Sequence, residues 1–171
     1  MSLQLSGTSG VLDNSGAFIA GTAVASTSGT SITFSSIPSW VKRVTVNLSG
    51  VSTNGISNWL FQVGAGSVTT SGYLGCGSRA ANGGGWVNVN FTTGFGVCFD
   101  TSSAVAHGSV VFCLISANTW ACSGIVNRSD TSVVGSTAGS IALGGTLDRV
   151  VITTVNGTDT FDAGVINILY E

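Results

Sequence analysis

Charge is what this chain has least of. Among 171 residues, five are Lys or Arg and seven are Asp or Glu, 7% in all, against about 25% in an ordinary soluble domain. Five basic residues give no electrostatic basis for binding nucleic acid, which depends on Lys and Arg displacing counterions from phosphates. One histidine (His107), one lysine, one glutamate (Glu171) and six aspartates leave little material for acid–base catalysis, where an acid and a base must be set together with matched pKa values. The chain is expected not to be an enzyme. Proline occurs once, at Pro38, and glycine follows no three-residue period, so collagen is excluded. No apolar run approaches the ~18 residues of a membrane-spanning helix, and no membrane insertion is expected. Residues 1–10 lack the basic and apolar stretches of a secretory signal.

What is present is polar but uncharged: 25 Gly, 25 Ser, 20 Thr and 11 Asn. Hydrophobic residues still reach 43%, which excludes the disordered class. The four cysteines (Cys76, Cys98, Cys113, Cys122) match no metal-ligand spacing and form no CxxC pair. Cys98 and Cys113 sit in apolar runs, where a free thiol behaves as a small hydrophobe. All four are expected to be free and mostly buried.

Alternation with a period of two dominates the pattern. It predicts strands over 31–37, 40–51, 58–63, 85–91, 107–116, 147–155 and 164–170. Val44, Val46 and Leu48 fall on one face of the second, with Arg43, Thr45 and Asn47 on the other; Val87, Val89 and Phe91 alternate likewise with Trp86, Asn88 and Asn90. The continuous apolar run at 107–116 reads as a strand covered on both faces. Asn54-Gly55, Asn82-Gly83 and Asn156-Gly157 are turn signals. Segments 66–85 and 129–145 read as long loops or short edge strands, and no stretch reads as a helix. The expected fold is all-β, an antiparallel β-sandwich, jelly-roll-like, over residues 31–171. Residues 1–30 are a lead-in arm or a first strand.

Sites of chemistry are few. His107 has no GxSxG elbow to serve and reads as structural or as a surface residue. Asp159 and Asp162, three residues apart, could contribute to a calcium site, but local turn bonding fits them better. The run 81–85 has neither the Lys nor the following helix of a phosphate loop. No catalytic residue, metal or cofactor is expected. The remaining resource is a neutral polar surface carrying aromatic groups, the composition of an adaptable binding face. Trp40, Trp59, Tyr73, Trp86 and Trp120 are read as outward, and Tyr73, Trp86 and Trp120 as the surface-binding residues.

Two stretches carry a resemblance. Residues 27–64, with Ile-Pro-Ser-Trp-Val-Lys-Arg at 37–43, are similar to the opening of a domain of tail-fibre-like proteins of tailed bacteriophages. Residues 147–171, with Thr-Phe-Asp-Ala-Gly at 160–164, resemble its closing segment. The resemblance implies a virion protein assembled in the host bacterial cytoplasm and a symmetric homo-oligomer, a homotrimer. Its partners would be other phage virion proteins and a host cell-surface glycan or protein. Two functions compete: a receptor-binding, host-attachment module, and a capsid-decorating (cement or head-fibre) protein that stabilises the phage head.

Overall fold

Alternating apolar side chains become strands because each strand can then bury one face and leave the other in water. The computed structural model describes residues 18–99 and 101–171, together with the backbone of two short strands, β1 (Leu5–Ser6) and β2 (Gly10–Val11), which pair with each other. The first half continues with β3 (Ile19–Ala20), β4 (Val24–Ala25), β5 (Ser31–Ser35), β6 (Arg43–Thr53), β7 (Trp59–Ala65) and β8 (Ser67–Val68). Then come β9 (Leu74–Ala81), β10 (Gly84–Phe91), β11 (Phe95–Val97), β12 (Ala106–Ser116), β13 (Thr119–Arg128) and β14 (Val133–Ala142). β15 (Arg149–Thr154) and β16 (Phe161–Tyr170) complete the series. Among the described residues there is no helix, and every strand pairing is antiparallel.

Apart from the β1–β2 pair, the strands form two sheets. The larger has nine, in the order β10-β9-β14-β13-β12-β6-β16-β3 with β4 also on β16; the smaller has five, β11-β7-β15-β5 with β8 on β7. Their facing sides share one core. Val44, Val46, Val110 and Phe112 from the large sheet meet Phe61, Val63, Val150 and Ile152 from the small one. Burying such side chains gives about 1.5–3 kcal/mol each before the entropy of ordering is counted. Of the expected lead-in, β3 and β4 lie along β16, held also by the Gly21 N–H to the Ile168 carbonyl (2.7 Å) and the Ser26 N–H to the Gly164 carbonyl (2.9 Å).

Register shifts on β6, β12 and β16 fall side by side, near Gly50, Gly108 and Gly164. Such bulges bend and twist a sheet. Gly164 has φ +93° and packs directly on the Gly50 backbone, a conformation and a spacing that a side chain would not accept. Beyond this bend Thr53 pairs Phe161, and Phe161 and Phe99 pack on Trp59 with ring centroids 5.9 and 5.2 Å apart.

Three expectations need correction. Segments 66–85 and 129–145 are not mainly loops: they hold β9 and β14, and β13 lies just before the second. The run 107–116 is covered on one face only, since Ala106, Val110 and Phe112 are buried while Cys113 and Ile115 are exposed. The thiols are all free, as expected, but only Cys98 and Cys122 are buried; Cys76 and Cys113 are exposed.

Candidate functional site

The outer side of the large sheet is built from the residues that the core-facing alternation leaves over. Strand register lines them up in rows. Val111, Ser123, Ala138, Cys76 and Asn90 form one row across β12, β13, β14, β9 and β10. Ser109, Ile125, Ser136, Ser78 and Asn88 form the next, with the Ser78 and Ser136 hydroxyls 2.6 Å apart. Cys113, Ala121, Ser140 and Leu74 form a third. None of these residues is Asp, Glu, Lys, Arg or His, so the three rows cross the face without a charged side chain.

The charges sit elsewhere, mostly in pairs. Arg43 meets Glu171 at 2.9 Å on the margin formed by β6, Arg149 meets Asp148 at 2.7 Å, and Arg128 meets Asp130. The guanidinium beside each of Asp130 and Asp148 holds its carboxyl below the usual range. Arg79 lies on the opposite parity of β9, paired with Val87 and Gly135.

Apolar groups project from the charge-free face. Leu74 is 77% exposed, Trp86 75% and Ile125 64%. Leu74, Cys76, Asn90, Thr92 and Ala138 line an open groove of about 510 Å³, to which Gly75 and Gly139 also contribute. Trp86 stands at the far end of β10, beside the one irregularity in the β9–β10 pairing, between Gly84 and Val87. An apolar depression bordered by Asn90 and Thr92, on the same face as an exposed indole further along β10, can hold a neutral ligand by dispersion, stacking and amide hydrogen bonds.

Trp86 is the one of the three expected binding residues that lies at the surface. Tyr73 is 1% exposed and Trp120 is 2% exposed, so both are corrected to the core. Tyr73 packs edge-on against Phe95 at 4.9 Å, and its hydroxyl accepts the Val63 N–H at 2.9 Å while lying 2.9 Å from the Thr69 carbonyl. With its polar tip satisfied, the ring can be buried at no hydrogen-bonding cost. Burial pushes its pKa up to about 12. Trp120 is placed inward by its register, between Leu114 and Ile141. Trp59 is also buried, and Trp40 is half-buried against Tyr170. The residues missed were Leu74, Ile125 and the groove. Leu74 carried no signal, because it lies in a segment read as a loop.

His107 has a structural role. Its Nδ1 accepts the Gly50 N–H at 3.2 Å, which leaves the proton of the neutral ring on Nε2, 3.1 Å from the Ser129 hydroxyl. Asp159 accepts from the Ser57 N–H (2.9 Å) and the Asn156 amide (2.6 Å), and Asp162 accepts from the Ser52 hydroxyl. Asp159 thus holds the β15–β16 connection to its surroundings, and Asp162 ties the start of β16 to β6. Burial pushes the Cys98 and Cys122 thiols up, away from thiolate reactivity.

No protein-family model matches the chain, and neither a curated protein nor a solved structure does.

Proposed function

We propose that this chain is a non-catalytic virion protein of a tailed bacteriophage, a tail-fibre-like module that attaches to a host-surface glycan or protein. The observation that carries the reading is the charge-free outer face of the large sheet, with Trp86 and the Leu74–Ala138 groove upon it. The resemblance of residues 27–64 and 147–171 supplies the phage context. Binding on such a face uses stacking on Trp86, apolar contact at Leu74 and Ile125, and neutral hydrogen bonds from Asn88, Asn90 and the serines. Contacts of this kind are individually weak, so several identical copies in a homo-oligomer raise avidity by about a hundredfold or more when geometry permits.

The test is attachment of the purified protein to a panel of intact bacterial cells and, separately, to heads of the phage that encodes it. The expected result is binding to cells that changes little between low and high salt. Ionic contacts, by contrast, weaken steeply as salt screens them. Trp86→Ala should lower attachment by about tenfold or more, as loss of an aromatic anchor does. Binding that collapses with salt, or that ignores Trp86, overturns the reading. Binding to heads alone assigns the capsid-decorating role instead.

A further inference from the structure

Strand β10 is an open edge. Among the described residues β9 pairs one side of it and no strand pairs the other. A row of free N–H and C=O groups is a template for another chain, so edges in stable monomers are kept short or carry charge, proline or a bulge. The other marginal strands follow that rule: β3, β4 and β8 have two residues each, β11 three and β5 five. β10 has eight, Gly-Gly-Trp-Val-Asn-Val-Asn-Phe, with no charge and no proline. Its irregularity lies at the turn end, between Gly84 and Val87, and the pairing of 87–91 is continuous. Val87 and Asn88 are both exposed although they point to opposite faces, so an incoming strand meets no covering element.

The geometry points to a second copy of this chain as the occupant of that edge, with β10 pairing antiparallel to its own copy about a two-fold axis at Val89. In this register Val89 faces Val89, Val87 faces Phe91, and Asn88 faces Asn90. Apolar residues therefore meet on the inner side and amides on the outer. A slip of one residue would set Val89 against an asparagine and the inner face of one copy against the outer face of the other. A register centred on Asn88 would draw the irregular Gly85–Trp86 step into the ladder. The whole regular run is used only when Val89 is the centre. Charge agrees with the choice: an uncharged strand accepts its own copy without repulsion, whereas a charged partner strand would be stripped of water with nothing to pair it.

Two large sheets then become one continuous sheet. One step beyond the paired run, Trp86 of each copy comes abreast of Thr92 of the other, at the margin of the groove containing Leu74 and Cys76. Each groove gains an aromatic wall from the second copy. That last point rests on the attachment reading; the strand pairing does not.

Sedimentation velocity on the full chain tests the pairing. The expected mass is two copies, or six if a three-fold contact exists elsewhere. The double variant Asn88→Lys with Asn90→Lys sets ammonium groups opposite one another and should halve the mass, as should Asn88→Asp with Asn90→Asp. An equimolar mixture of the two variants should restore the wild-type mass through Lys–Asp pairs. Independently of any substitution, amide exchange over 87–91 should slow as protein concentration rises. A wild-type mass of one or three copies, variants of unchanged mass, a mixture that stays dissociated, or exchange at open-edge rates at every concentration overturns the inference. A three-copy result would leave the attachment reading intact, and loss of the Trp86 effect would leave the pairing intact.

Discussion

Tyr73 shows how one residue's surroundings decide its role. It follows a glycine in a stretch of small and polar residues, as Trp86 does, and composition alone gives the two the same outward reading. What separates them is parity: Tyr73 lies on the inner side just ahead of β9, where Phe95 and the Val63 backbone receive it, whereas Trp86 stands on an uncovered edge. Burial has a pH consequence. The Tyr73 phenol is raised from its ordinary 10.0 to about 12, so the folded chain keeps its proton in a range where the unfolded chain releases it. The stability due to this group is intact below pH 10 and is lost between 10 and 12, by about 2–3 kcal/mol for a shift of two units. The buried Cys98 and Cys122 thiols, also raised, act in the same direction from the ordinary thiol range upward. The urea midpoint is therefore expected to fall steeply on the alkaline side, and less so in Tyr73→Phe, which starts lower because the Val63 N–H loses its acceptor. A wild-type midpoint that stays flat from pH 8 to 12 would contradict this account.

At the scale of elements, the sequence read best where inward positions are large. β6, β10 and β16 alternate Val, Ile, Leu or Phe with polar residues, and each was found within a few residues of its bounds. β9 and β14 were hidden because their inward positions are small. Gly75 and Gly77 on β9, and Gly135 and Thr137 on β14, show no apolar beat. The physical cause is close approach: β11 runs directly beneath these strands. The Cys98 thiol reaches the Gly77 carbonyl at 3.6 Å, and a Cβ on Gly135 would lie 2.8 Å from Val97 Cγ1. The same cause hid most of the candidate face, since a strand read as a loop has no outer side. Gly77→Ala tests the spacing. The added methyl would overlap the Gly96 carbonyl oxygen and lie 2.8 Å from the Phe91 ring, so the β9 and β11 backbones must part and Phe91 must shift as well. A loss of about 1–3 kcal/mol in chemical denaturation is expected, typical of overpacking. A neutral substitution would show that the two backbones are not in contact there.

For the whole molecule, the pairing of β6 with β16 sets a schedule. The bond between Ser52 and Asp162 joins residues 110 apart, and β6 lies inside the large sheet between β12 and β16. On a ribosome, β6 emerges early and must wait for nearly the rest of the chain before its second neighbour exists. Until then an eleven-residue strand keeps one side unpaired, a species prone to joining other chains. Distant pairings of this kind slow folding, because the entropy of closing the loop is spent before the contacts form. Refolding followed by Trp59 fluorescence should take milliseconds to seconds, the range of β-rich domains, and a chain lacking residues 161–171 should aggregate. Microsecond refolding, or a soluble folded truncation, would contradict this. Where ribosomes crowd on one message, the growing chains hold their waiting strands close together, so the yield of native protein should depend on translation speed: slow synthesis lengthens the exposure, and fast synthesis shortens it.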